Sequence, residues 1–316
     1  MNISVAMCTY NGSRFLQAQL KTIGNQTRLP FELIVCDDGS TDATPEIVQA
    51  FAQSVTFPVH FIRNAVNLRS TKNFEKAIRL CQGEIIALCD QDDLWAPEKL
   101  RTMADILERE PEVAGVFSDA ALIDDNGARM GGTLWGSVRF AAREQRAFHA
   151  DQAFFLIHRP AVTGAAFLFR SRFVNDILPI APEWVHDAWI ALILASLSKL
   201  KPVPALLISY RLHASQQLGV KTISKRAALR KGKQDRIAFH RSNALQLSLM
   251  ADKLATLPVH QKTAKYARAK ARYMNKRATL LEGGRLPRIF QGMAVLRGHF
   301  RFGWGLVSYF RDLLHA

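Results

Sequence analysis

The 316-residue sequence contains little cysteine and no long apolar run. None of its four cysteines forms a CxxC pair, and all lie in or beside apolar segments, which favours buried, reduced thiols over disulfides or zinc ligands. They are Cys8, Cys36, Cys81 and Cys89. No stretch supplies the roughly 20 continuous apolar residues of a membrane-spanning helix. The first ten residues also lack the features of a secretory signal, which predicts a cytoplasmic protein.

The sequence also lacks two nucleotide-binding signatures, and its C-terminal region contains few acidic residues. Neither GxxxxGK[ST] nor GxGxxG occurs, which disfavours an ordinary P-loop NTPase or dinucleotide enzyme. From residue 220 onward, 21 Lys and Arg stand against 4 Asp and Glu, a net charge of +17, whereas residues 1–219 carry 21 against 23. Such a basic region suits anionic lipid, nucleic acid or a solvated helix face, and charge alone does not choose among them.

The first 120 residues alternate short apolar runs with helix-like segments. Strands are predicted at residues 3–8, 31–36, 59–62 and 85–89, and helices at 14–23, 45–52, 71–81 and 97–108. This βαβα pattern predicts an α/β fold with a mostly parallel, Rossmann-like central sheet and helices on both faces. Strands at 113–118, 164–169 and 205–210 and a helix at 187–197 are expected to complete it. Residues 139–159 read as a loop with helical parts, and 225–277 as helical.

Polar clusters follow three of the predicted parallel strands. Thr9-Tyr10-Asn11-Gly12 follows the first strand, Asp37 to Asp42 the second, and Asp90-Gln91-Asp92-Asp93 the fourth. Because ligands of open α/β sheets gather beyond the carboxyl ends of the strands, we expect these clusters to converge at one edge. Carboxylates there would hold Mg²⁺ or Mn²⁺ beside a diphosphate. The alternative for the fourth-strand cluster is an acidic helix N-terminus.

Five segments in this order carry a resemblance to a known family. CTYNG, CDDGSTD, LCDQDDLW, HDAW and YRLH together resemble the inverting nucleotide-sugar glycosyltransferases of family 2, including rhamnosyltransferases, over about residues 1–215. The resemblance implies the GT-A fold, with a nucleotide-sugar-binding half (1–115), an acceptor-binding half (116–219) and a basic helical region (220–316). The implied reaction moves a sugar from a UDP- or dTDP-sugar to a glycan or lipid-linked glycan in cell-surface polysaccharide synthesis.

The resemblance also implies roles on the donor side. Asp38 would accept the imide hydrogen of uracil or thymine, although Asp37, Ser40 and Asp42 are equally typical of a capped turn. Asp90 would lie near the ribose and the metal, and Asp92 would bind the metal directly. The expected donor-binding residues are Thr9, Tyr10, Asn11, Asp38, Arg69, Asp90, Gln91, Asp92 and Arg211, and the expected metal ligands are Asp90, Asp92 and His213.

The acceptor side is expected around HDAW. Inverting transfer needs a base that takes the acceptor hydroxyl's proton, and the resemblance assigns this role to Asp187. Trp184, His186 and Trp189 would contact the acceptor. The alternative is that Asp187 only caps the helix that follows.

The C-terminal segment, residues 289–316, predicts an amphipathic helix. Leu306, Tyr309, Phe310 and Leu313 recur at helical spacing near basic residues, which favours attachment to an anionic membrane surface at the inner face of the cell membrane. Packing on the protein itself is the open alternative. A nucleotidyltransferase is disfavoured because CTYNGSRFL lacks a glycine-rich loop bearing Lys or Arg. A nucleic-acid-binding protein would leave the acidic clusters unexplained, so no nucleic-acid partner is expected.

Overall fold

A computed structural model describes residues 1–214, 232–257 and 261–283 together with Leu296, Gly298 and Phe302. The chain forms two compact units, Met1–Val220 and Lys221–Ala316. Most of the amphipathic helix expected in residues 289–316 lies outside the described residues, and so do its four key positions, Leu306, Tyr309, Phe310 and Leu313.

The first unit contains one nine-stranded sheet. Its strands are β1 (Ile3–Thr9), β2 (Glu32–Asp37), β3 (Val59–Arg63), β4 (Ile85–Cys89), β5 (Leu94–Trp95), β6 (Val113–Ile123), β7 (Arg129–Thr133), β8 (Phe167–Arg170) and β9 (Lys199–Arg211). The order is β3-β2-β1-β4-β8-β6-β9-β5, with β7 paired to β6. The first four strands are parallel, whereas β8 runs antiparallel to both β4 and β6. The sequence-based expectation of a mostly parallel sheet is confirmed for the half that carries the three polar clusters.

Helices cover both faces of this sheet, as expected. They are α1 (Ser13–Gly24), α2 (Thr44–Ala52), α3 (Arg69–Leu80), α4 (Lys99–Arg109), α5 (Leu134–Ser137), α6 (Ala142–Ala150), α7 (Gln152–His158), α8 (Val174–Ile177) and α9 (His186–Leu197). Leu16, Val48 and Leu107 bring α1, α2 and α4 into the main core with β1 and β2. Helix α3 packs on β1 and β2 and also on α9. The sheet edge between these layers is left open for the polar loops.

The structure departs from the sequence-based boundaries in the second half of the sheet. The sequence predicts that strand β6 ends at residue 118, yet it continues to Ile123, because its last residues pair with β9 and β7. Strand β9 begins at Lys199 and passes through Pro202 and Pro204, beside register shifts in its pairing with β6. The short strands β5 and β7 were missed. The four cysteines are free thiols, as expected.

The described part of the second unit is a pair of helices, α10 (Lys233–Ala255) and α11 (Gln261–Glu282). Their interface buries many small side chains, including Ala244, Ala251, Ala267 and Ala271. Arg241 pairs with Glu282, and Arg268 with Asp252, so both ion pairs bridge the two helices. None of the described helices is both long and apolar enough to cross a membrane.

Candidate active site

The loops after β1, β2 and β4 are tied together at the carboxyl edge of the sheet. Gln91 accepts the N–H of Tyr10 at 2.8 Å and donates to its carbonyl at 3.1 Å, so the Gln91 amide is used to join the first and fourth strands. Asn11, at φ 47°, donates its N–H to Ser40 Oγ and accepts the Thr41 N–H. The three expected clusters therefore meet, and the amides of Gln91 and Asn11 hold them there.

Asp37 and Asp38 have different surroundings. Asp37 is fully buried and accepts hydrogen bonds from Thr9 Oγ1 and from the N–H and Oγ of Ser40. Asp38 Oδ1 accepts from Asn64 Nδ2 at 2.9 Å and from the Leu68 N–H at 2.7 Å. Its Oδ2 accepts the Arg69 N–H at 2.8 Å.

The Asp38 carboxylate therefore also fixes the turn that leads into α3. Arg69 stands at φ 62°, a left-handed conformation that costs a non-glycine residue on the order of 1 kcal/mol or more. The bond to Asp38 offsets part of that cost, and the Arg69 side chain remains exposed at the rim of the site. The capped turn expected of Asp37 is present, since Asp37 accepts the Ser40 N–H, and Asp38 fixes the turn into α3 beside any role in binding a base.

The acidic residues after β4 form a cluster in which the carboxylates repel one another. Burial, followed by the charges of Asp92 and Asp187, raises the pKa of Asp90 well above its ordinary value. Asp93 is 1% exposed, and its Oδ2 is buried without a hydrogen-bond partner among the described residues. Lys99 lies 3.4 Å from the Trp95 ring and donates to the Ala165 carbonyl, and burial lowers its pKa to about 7. This lysine therefore supplies less than a full positive charge at neutral pH.

The end of β9 brings two predicted residues to this cluster. His213 Nε2 lies 2.8 Å from Asp92 Oδ2. Arg211 was expected to neutralise phosphate, but it is 4% exposed, and its guanidinium donates to the carbonyls of Asp92, Asp124 and Asp125. The described bonds engage the Arg211 guanidinium with the main chain of the site's loops, and its contact with phosphate stays a prediction.

Asp187 stands in the first turn of α9 and is only partly buried. Its Oδ2 accepts the Gly164 N–H at 2.8 Å, and its Oδ1 accepts the Ala188 N–H at 2.6 Å. The N-cap position belongs to Val185, so the alternative that Asp187 caps the helix is wrong. Asp187 is close enough to Asp90 for its charge to raise the Asp90 pKa, which brings the donor and acceptor clusters together.

The three expected acceptor contacts separate in the structure. Trp189 is 2% exposed and its Nε1 donates to the Ile177 carbonyl. His186 is 5% exposed and stacks on Phe74 at 3.8 Å between ring centroids, and neither ring nitrogen is hydrogen-bonded within the part of the chain that the structure describes. The structure thus places His186 and Trp189 beneath the site as packing residues, because helix α9 turns them toward α3 and α8. Trp184 remains partly exposed.

Comparison with known proteins decides the family. The model of glycosyl transferase family 2 matches residues 4–177, which is more than half of the chain. The chain belongs to glycosyl transferase family 2. A glycosyltransferase of Nostoc sp. that is otherwise uncharacterized is 26% identical over 224 residues, 68% of this chain and 66% of that protein. The abequosyltransferase RfbV of Salmonella typhimurium is 30% identical over 115 residues, 36% of this chain and 34% of RfbV.

Solved structures agree with this family assignment at the level of fold. Staphylococcus aureus TarS 1–349, in complex with UDP-GlcNAc, has a TM-score of 0.60 at 15% identity and covers 99% of this chain and 82% of its own. The mannosyltransferase PcManGT of Pyrobaculum calidifontis, in complex with GDP-Man and Mn²⁺, has a TM-score of 0.53 at 17% identity, over 99% and 87%. The expected GT-A fold is confirmed. The chain spans less than two thirds of the two sequence relatives' own lengths.

The residues present in this family 2 domain fit a divalent cation that is completed by its ligand. Among the described residues no group of three or more His, Cys, Asp or Glu side chains is arranged to hold a metal by itself. Asp92 and His213 nevertheless converge from two loops, and Asp93 Oδ2 is buried without a partner in the described part of the chain. Mg²⁺ and Mn²⁺ in nucleotide sites usually take only one or two protein carboxylates, and phosphate oxygens and water fill the rest.

Sequence reasoning missed two residues that organise this site. Gly164 positions Asp187 through its N–H, and a Cβ added there would lie 2.8 Å from His186 Nε2. A glycine inside a predicted strand is a signal of close backbone approach, so this one could have been found. Asn64 joins Asp38 to Asn73 through its side-chain amide, and no local pattern indicates it.

We predict that Asp38→Asn destabilises the fold in addition to any effect on ligand binding. An amide nitrogen would face one of the three N–H donors, and hydrogen bonds to a charged acceptor are worth about 1.5–3 kcal/mol each. Urea denaturation should therefore show a free energy of unfolding lower by about 2 kcal/mol. The control is Glu98→Gln, which removes the same charge from an exposed position. Equal stability of the two variants would contradict the structural role of Asp38.

Proposed function

We propose that this protein is an inverting glycosyltransferase that moves a sugar from a UDP- or dTDP-sugar to a glycan or lipid-linked glycan acceptor. The observation that carries the proposal is the meeting of Asp90, Asp92 and Asp187 at one sheet edge, near enough for their charges to shift the pKa of Asp90. Family membership supports the reaction class. In this proposal, one group of residues binds the donor and a separate group acts on the acceptor.

On the donor side, Asp92 and His213 would hold Mg²⁺ or Mn²⁺, with Asp90 beside them. When bound, the cation supplies positive charge that stabilises the leaving diphosphate. Among the site's own cations, Lys99 has a pKa lowered to about 7 by burial, and the Arg211 guanidinium is directed at the carbonyls of the loops. Thr9, Tyr10 and Asp38 would receive a pyrimidine base, because a carboxylate can accept the imide hydrogen of uracil or thymine.

On the acceptor side, Asp187 would take the proton of the attacking hydroxyl. Each of its oxygens accepts one main-chain N–H, which fixes the carboxylate plane and leaves a second lone pair on each oxygen. A base held this way is oriented before the acceptor arrives, which is what general-base catalysis requires. Trp184, partly exposed three residues before Asp187, would contact the acceptor sugar.

We predict that Asp187→Asn preserves donor binding and loses transfer. The asparagine oxygen can still accept one of the two N–H bonds, but it cannot take a proton, so turnover should fall by about 10²- to 10⁴-fold. Titration with UDP- and dTDP-sugars measures binding, and release of UDP or dTDP in the presence of acceptor measures transfer. Glu183→Gln is the matched control, because it removes an exposed carboxylate four residues away. Near-wild-type turnover of Asp187→Asn would contradict the role.

We also propose an anionic membrane surface as a partner, through a basic stripe on α11. The stripe consists of five exposed cations at helical spacing, Lys262, Lys265, Arg268, Arg272 and Lys276. It extends about 21 Å along one helix face, which suits an extended charged surface better than a single phosphate. Its cations are not interleaved with exposed aromatic rings along α11, unlike the stacking platforms of proteins that bind single-stranded nucleic acid. A lipid-linked acceptor would be met at such a surface.

We predict that neutralising the basic stripe weakens vesicle binding. Each basic residue near an anionic membrane contributes about 1 kcal/mol, so Lys262→Gln, Lys265→Gln and Lys276→Gln together should weaken binding at least about tenfold. Co-sedimentation with vesicles of mixed neutral and anionic lipid at low and high salt measures the effect. The control removes the same charge from exposed positions of the first unit, Arg109, Arg143 and Arg146. If both variants lost the same amount of vesicle binding, net charge alone would explain the binding, and the basic stripe would have no special role.

A further inference from the structure

Arg211 connects three segments around the acidic cluster. Its Nε donates to the Asp92 carbonyl at 2.7 Å, and one terminal nitrogen donates to the carbonyls of Asp124 at 2.9 Å and Asp125 at 3.1 Å. Its backbone N–H donates to Asp93 Oδ1 at 2.8 Å. One residue thus binds the main-chain carbonyl of Asp92 and the side-chain carboxylate of Asp93, and it restrains the chain at both positions.

Phe15, in the first turn of α1, contacts the side chains of both Arg211 and His213. The Arg211 guanidinium carbon lies 4.6 Å from the centre of the Phe15 ring, and the His213 ring lies 5.0 Å from it. The two residues therefore share one aromatic support. Because His213 follows Arg211 by two positions, an Arg211 that is fixed at both ends also limits where His213 can stand. The 2.8 Å approach of His213 Nε2 to Asp92 Oδ2 is the result.

We infer that Arg211 is a positioning residue that holds Asp92 and His213 in place for the divalent cation and does not itself contact the diphosphate. The inference rests on the metal-dependent donor site of the proposed function. Groups that orient metal ligands typically change metal affinity by about 10- to 100-fold when they are removed. Arg211 would do so through a main-chain carbonyl, a carboxylate of the neighbouring residue and a shared aromatic ring.

Three possible roles for Arg211 predict different changes in Mn²⁺ affinity and in metal-free UDP affinity when Arg211 is replaced. A cation that only stood near the metal would repel it, so Arg211→Gln would raise Mn²⁺ affinity. A diphosphate contact would be lost with or without metal, so affinity for UDP would fall in metal-free buffer. A positioning residue predicts weaker Mn²⁺ binding with unchanged metal-free UDP binding.

The chain offers a matched control in Arg14. Its guanidinium carbon lies 4.8 Å from the centre of the same Phe15 ring, and it pairs with the Asp125 carboxylate at 3.1 Å. It is 61% exposed, and among its described contacts none involves Asp92. Arg14→Gln therefore removes a cation that contacts the same Phe15 ring and the same Asp125 loop. The bond from Arg211 to the Asp92 carbonyl stays in place.

The experiment measures Mn²⁺ binding to the full chain by electron paramagnetic resonance, with and without UDP, in wild type, Arg211→Gln, Arg211→Lys and Arg14→Gln. We expect both Arg211 variants to bind Mn²⁺ at least about tenfold more weakly, because a lysine ammonium cannot span the three carbonyls, and Arg14→Gln to resemble wild type. Should Arg211→Gln fail to fold, the charge-preserving Arg211→Lys carries the test.

Several outcomes would overturn the inference. Tighter or unchanged Mn²⁺ binding in the Arg211 variants, weaker UDP binding in metal-free buffer, or an equal loss in Arg14→Gln would each do so. A wild-type protein that binds no Mn²⁺ even with UDP would instead overturn the proposed metal site, and the role of Arg211 with it. The inference and the function on which it rests therefore fail in different ways.

Discussion

The concentration of carboxylates, one buried and three partly buried, at one edge of a parallel sheet is the constraint on which the site depends. Asp90, Asp92 and Asp93 follow β4, Asp187 opens α9, and their mutual repulsion together with burial raises the pKa of Asp90 and Asp93. Such an arrangement is costly unless positive charge arrives from outside. Lys99 contributes little, since burial lowers its pKa to about 7. This free-energy cost is explained if the carboxylates serve to bind a cation that accompanies a diphosphate.

Main-chain N–H groups hold three of the site's carboxylates in place. Asp38 is held by the N–H groups of Leu68 and Arg69, Asp93 by that of Arg211, and Asp187 by those of Gly164 and Ala188. Main-chain donors orient a carboxylate without bringing a full countercharge, so its charge remains available to a ligand. They also tie the positions of the acids to the backbone of loops rather than to mobile side chains, which is how a rigid sheet can supply a preorganised site.

Sequence patterns predicted the framework and the identity of the acids, but not their surroundings. Apolar runs such as Ile85–Cys89 and the polar clusters after them are local signals, and they predicted that the clusters meet at one sheet edge. The contacts of Arg211, His186 and Trp189 depend on packing between distant segments. His186 stacks on Phe74, for example, and Arg211 lies over the Phe15 ring. A lysine at a helix start, such as Lys99, also gives no local sign that it will be fully buried. Burial of polar side chains is a tertiary property that periodicity does not record.

The central claim is that the acidic edge binds a nucleotide diphosphate together with a divalent cation. The most direct test is isothermal titration of the full chain with UDP, dTDP and GDP, each with and without Mn²⁺. The account predicts that Mn²⁺ tightens binding of UDP or dTDP at least tenfold, about 1.4 kcal/mol, with GDP bound more weakly. Nucleotide affinities that are the same with and without Mn²⁺ would contradict it.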